Sequence, residues 1–113
     1  MRYLLAIYGD ESQREAMSPE EGVAVMEAYG AYTQQVQEAG VMVGGDGLQP
    51  SSTATTVRVR NGERLVTDGP FAETREQLGG YYLVEAKDLD EALGIAERIP
   101  SSRFGTIEVR PQR

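Results

Sequence analysis

GGYYLVEAKDLDEALGIAERIP, residues 79–100, joins two hydrophobic periods end to end. Tyr81 to Val84 is a short apolar run behind a glycine pair, so Gly79 to Ala86 has the form of a buried strand. Asp88 and Glu91 then have capping-box spacing, which satisfies free backbone N–H groups at a helix start. Leu89, Ala92, Leu93, Ala96 and Ile99 recur at threes and fours and form one helix face, which Pro100 ends. A strand running straight into a helix is half of a βαβ unit. Gly105 to Arg110 supplies the other strand, with Ile107 and Val109 alternating with Thr106, Glu108 and Arg110.

The N-terminal half repeats this arrangement. Tyr3 to Tyr8 (YLLAIY) is an apolar run bounded by Gly9 and Asp10, again a buried strand. Ser18 caps a helix, Pro19 fits its first turn, and Glu21 completes a second capping box. Val25, Tyr29, Tyr32, Val36 and Ala39 share one face of that helix, and Gly40 stops it. Val41 to Leu48 is the next strand. Thr53 to Arg60 and Glu63 to Thr67 flank Asn61-Gly62, a two-residue hairpin turn whose residues tolerate positive φ. The order is β-α-β, a hairpin, then β-α-β. It predicts an α+β fold of one domain, residues 1–113, ferredoxin-like with an antiparallel sheet and an inserted hairpin.

Two strands are apolar on both faces. Leu4, Ala6 and Tyr8 alternate with Tyr3, Leu5 and Ile7, and Tyr82 and Val84 with Tyr81 and Leu83. Helices on one side of a sheet need only one apolar face. The second face needs a cover, either the inserted hairpin or a second copy of the sheet. The second copy, a homodimer, is the expectation.

Composition narrows the chemistry. The chain has no cysteine, hence no thiolate nucleophile and no zinc–thiolate site. It has no histidine, which removes the commonest general base and transition-metal ligand. Its one lysine, Lys87, sits beside Asp88 at a strand–helix junction, a poor place for a Schiff base. The net charge of −7 disfavours nucleic acid and anionic membranes as partners. No apolar run approaches a membrane span, and the N-terminus turns polar too soon for a secretory signal, so a cytoplasmic location is expected. No cofactor or metal site is expected.

VTDGPFAETREQLGGYYLVEAKDLDEAL, residues 66–93, resembles the DGPF-motif branch of the YCII-related family. The N-terminal YLLAIYGDE, the Met17-Ser18-Pro19-Glu20 helix start and the closing Ile107 to Pro111 are similar to the same family. The resemblance implies a dimeric α/β barrel built from ferredoxin-like halves, with a pocket in each protomer near the sheet and the Asp68-Gly69-Pro70-Phe71 loop. It also implies a genetic association with extracytoplasmic-function sigma factors. The YCII-like branch is associated with a His–Asp pair for acid–base chemistry, and one relative is a dehydrochlorinase. This chain, lacking histidine, carries no such pair.

The loop has both a conformational and a functional reading. Asp68 suits a turn by bonding to a backbone N–H two residues on, Pro70 restricts Gly69, and Phe71 anchors the loop in apolar surroundings. Alternatively Asp68 is a carboxylate at a pocket mouth, a general base or a ligand anchor. The candidate ligand-binding residues are Asp68, Gly69, Phe71, Arg75, Tyr81 and Asp46, with Asp68 also the candidate catalytic residue. Arg75 forks onto an anionic ligand or pairs with Glu73 or Glu76. Gly44-Gly45-Asp46-Gly47 lacks the Lys-Ser/Thr of a phosphate loop, and its glycines mark a bulge or a close backbone approach. Asp10 and Glu11 with Asp46 and Asp68 could together make an all-oxygen cation site, though nothing in their spacing demands one.

Three functions fit. The first is a small-ligand-binding or accessory regulatory module, tied by the resemblance to a sigma-factor system and to a protein partner in transcription regulation. The second is a cofactor-independent lyase- or isomerase-like enzyme with Asp68 as base. The third is a structural interaction protein.

Overall fold

The computed structural model describes residues 1–113. Its strands and helices are β1 (Arg2–Gly9), α1 (Glu11–Glu15), α2 (Pro19–Glu38), β2 (Met42–Gly47), β3 (Thr55–Arg60), β4 (Glu63–Asp68), β5 (Gln77–Glu85), α3 (Leu89–Glu97) and β6 (Thr106–Pro111). Short 3-10 turns at Ser51–Thr53 and Pro100–Arg103 complete the trace.

β2, β5, β1 and β6 form one antiparallel sheet in that order. This is the ferredoxin-like arrangement, with the two βαβ halves interleaved so that β1 and β5 lie at the centre. The central position explains why these two strands are the most apolar. α2 and α3 cover one face, burying Tyr32 and Val36 from α2 and Ala92, Ile95 and Ala96 from α3 against Tyr3, Leu5, Tyr82 and Val84.

The helix starts read from sequence are present. The Ser18 hydroxyl accepts from the Glu21 N–H at 3.1 Å, with Pro19 in the first turn. Asp88 accepts from the Glu91 N–H at 2.9 Å. The Glu91 carboxylate reaches back to Lys87 N–H rather than to the cap residue itself. Gly40, at φ 73°, follows the C-cap of α2. The five-residue α1 has no apolar period to announce it; Asp10 caps it by accepting from Ser12 N at 2.9 Å.

The glycine-rich end of β2 is a bulge with a close approach. The register slips between Met42 and Gly44, and a Cβ on Gly45 would lie 2.7 Å from the Tyr81 carbonyl oxygen. Asn61 and Gly62 have positive φ, as the hairpin turn requires. β3 and β4 pair only with each other.

The hairpin therefore does not cover the sheet. It projects as an arm whose β4 residues are all exposed. The radius of gyration is 16.0 Å, where a compact chain of this length has about 13 Å. The second sheet face, bearing Leu4, Ala6, Tyr8, Tyr81 and Leu83, is left without a layer over it.

Candidate functional site

Two places gather the residues singled out in the sequence: the arm with its following loop, and the open sheet face.

The Asn61-Gly62 turn fixes the arm's register, pairing Arg60 with Glu63, Arg58 with Leu65, Val57 with Val66 and Thr56 with Thr67. Alternation then gives the arm two faces. Thr56, Arg58, Leu65 and Thr67 share one, and with Pro70 and Phe71 they line an open concavity of about 300 Å³. Val57, Val59 and Val66 share the other, with Arg64 and Asp68.

Asp68 thus ends β4 on the face away from the concavity. Its carboxylate is exposed and accepts no local turn bond; the residue is held by strand pairing opposite Thr55. Gly69, at φ 98°, donates its N–H to Ala54 O at 2.7 Å and accepts from the Thr56 hydroxyl at 2.8 Å. The loop is closed by these bonds rather than by the aspartate. Phe71 is 79% exposed, so it does not anchor the loop in the protomer's core but forms a wall of the concavity.

The arm's connections to the body are fixed by residues that the sequence did not single out for this role. The Glu11 carboxylate takes Ser51 N at 2.7 Å and Ser51 Oγ at 2.8 Å, gripping the incoming segment. Gln77 Oε1 accepts from the Glu11 N–H at 3.0 Å, which ties in the outgoing one. Thr106 Oγ1 donates to Glu76 at 2.7 Å on the same side. Arg75 forms no ion pair with Glu73 or Glu76. Hydrogen bonds from Ser12 hold the Asp10 carboxyl below its ordinary value, with Arg75 a minor contributor.

On the open sheet face, Asp46 and Tyr81 are direct cross-strand partners, and Tyr81 also pairs with Ala6 of β1. Leu4 pairs with Leu83 one step along. Tyr82 points the opposite way, into the core, with its ring 5.2 Å from Tyr32 and its hydroxyl 2.7 Å from Thr33 Oγ1. Asp10, Glu11, Asp46 and Asp68 do not converge, and no group of three or more acidic side chains is placed to hold a metal ion.

The concavity and the bare sheet face are thus separate features, carrying different members of the candidate set. Residues 1–112 match the YCII-related domain profile. The chain belongs to the YCII-related family. This YCII-related chain is 42% identical over 113 residues to an uncharacterized protein of Rhizobium meliloti (strain 1021), a match covering 98% of the chain and 91% of that protein.

Within the YCII-related chain the register could have revealed the concavity. Once Asn61-Gly62 is taken as a two-residue turn, the pairs Arg58–Leu65 and Thr56–Thr67 follow by counting. Glu11 and Gln77 carry no such signal, because their partners are fixed only by the fold. No helix of the chain is long and apolar enough to cross a membrane.

Proposed function

We propose that this protein is a small-molecule-binding module that works as a homodimer, and that its ligand is an organic anion with a flat or aliphatic apolar body. The observation that carries this reading is the makeup of the arm's concavity. Arg58 has no carboxylate partner in the chain, and it stands in one hollow with Phe71, Leu65 and Pro70. A guanidinium presents a planar fork of donors that matches a carboxylate or phosphate. The apolar walls would take the ligand's body, and the Thr67 hydroxyl adds a polar contact.

Asp46 and Tyr81 belong to the dimer contact in this reading, and Asp68 and Gly69 to the base of the arm that shapes the hollow. Arg75 is exposed on the outgoing segment and is not among the residues that line the hollow. The base role for Asp68 has no support from its surroundings, since it needed burial at a pocket wall. A regulatory task would then run through the ligand or through a protein partner in transcription, in the cytoplasm, and not through nucleic acid, given the charge of −7.

The test is a thermal-shift and NMR titration with simple aromatic and aliphatic carboxylates and their neutral amides. Carboxylates should shift the amide resonances of Thr56, Arg58 and Thr67, and Arg58→Gln should weaken binding about tenfold or more while the fold is kept. Equal binding of acids and amides, or Arg58→Gln binding like wild type, would remove the anion site.

A further inference from the structure

The arm's second face is unused by the ligand hollow. Val57, Val59 and Val66 are 61%, 63% and 51% exposed and lie side by side across the two strands. An isolated two-stranded hairpin is marginal in water, and an apolar strip on a long exposed hairpin calls for a cover. The chain's own body does not provide one.

We infer that the arm is an interchain clasp: in the homodimer it reaches past its own sheet and lays the Val57–Val59–Val66 face on the second copy, prolonging the contact between the two open sheet faces. This rests on the homodimer reading above.

Area argues for it. Four strands spaced about 4.8 Å apart and about 20 Å long present a footprint of roughly 400 Å². A stable interface of standard size takes about 800 Å² from each partner. The arm, two strands of six residues each, adds a footprint of about 200 Å². Charge agrees at the arm's tip: on the docking face Arg64 lies opposite Val59, next to the turn, and the second copy's open sheet face carries Asp46.

The chain has no cysteine, so a single introduced thiol can carry a photo-crosslinker. Val59→Cys is the main probe and Thr55→Cys, at the base of the same face, the second. Wild type and both variants are first sized by light scattering, then labelled and irradiated. The clasp predicts a product of twice the chain mass, with the attachment mapped to the other chain. It also predicts that Val59→Thr with Val66→Thr raises the dimer dissociation constant at least tenfold without changing the circular dichroism. A wild-type dimer whose labelled variants also dimerise but yield no chain-to-chain product overturns the clasp and leaves the homodimer standing. A wild type that is monomeric throughout overturns both. A Val59→Cys variant that is folded but monomeric, beside a dimeric wild type, supports the clasp.

Discussion

Tyr32 ties the two helices and the sheet together through two separate contacts. Its hydroxyl donates to the Ile95 carbonyl at 2.8 Å, its ring meets Tyr82 edge-on at 74°, and it is buried in the core. Tyr29 adds a hydroxyl contact to Ser101. Burial pushes the Tyr32 phenol up to about 12 and raises that of Tyr29 as well. A raised folded-state value means the neutral form is favoured on folding. That stability is fully present below the ordinary tyrosine value of 10.0 and is lost as pH rises toward 12. Urea unfolding should accordingly show a decline between pH 10 and 12 that is shallower in Tyr32→Phe. At pH 7 the variant should lose about 1 kcal/mol, because the Ile95 carbonyl loses its donor. Identical alkaline declines in the two proteins would contradict this account. The spacing of Tyr29 and Tyr32 in the sequence assigns both to the core; the structure buries Tyr32 there and packs a half-buried Tyr29 against it. Their hydroxyl partners were not legible, because they lie 72 and 63 residues away and only the fold brings them near.

At the scale of elements, the strands and the two long helices follow from local signals: apolar period, caps, and the Asn61-Gly62 turn. In α3 the buried face is Ala92, Ile95 and Ala96, while Leu89 and Leu93 of the expected stripe are exposed. The short α1 escaped because its five polar residues have no period. The hairpin's register was legible and its direction was not. Counting from the turn says which side chains share a face, but nothing local says whether that face meets the sheet or the solvent. β2 offers the sharpest test of an element. A methyl group on Gly45 would meet the Tyr81 carbonyl at 2.7 Å, whereas one on Gly44 would meet nothing within 4 Å. Gly45→Ala should force β2 off β5 and cost about 2–3 kcal/mol, lowering the melting point by about 10 °C. Gly44→Ala should cost under about 1 kcal/mol, and it is the control. Equal melting points for the two variants would mean that β2 does not depend on the close approach at Gly45.

At the scale of the molecule, the apolar alternation of β1 and β5 was readable as two buried faces, and only one is covered within the protomer. Leu4 shows the consequence: it sits on a central strand yet is 37% exposed. Beside it, Leu83 and Tyr81 are half-buried at best, on a sheet that has no other layer. The hairpin projects away from them, so within the chain the face has no partner, and the proposed cover is a second copy. Sequence alone favoured the second copy over the hairpin without locating the hairpin, because position in the sheet and position over the sheet are different facts. Leu4→Glu separates folding from assembly. In the protomer the glutamate reaches water, so circular dichroism and the cooperative melt of the monomer should survive. In a face-to-face dimer the same carboxylate would be buried without a partner, at a cost of about 3–5 kcal/mol for an uncompensated charge. That corresponds to a rise in the dimer dissociation constant of more than a hundredfold. Light scattering at low micromolar concentration should thus give twice the chain mass for wild type and the chain mass for Leu4→Glu. A Leu4→Glu protein that still runs as a dimer would move the interface off this face.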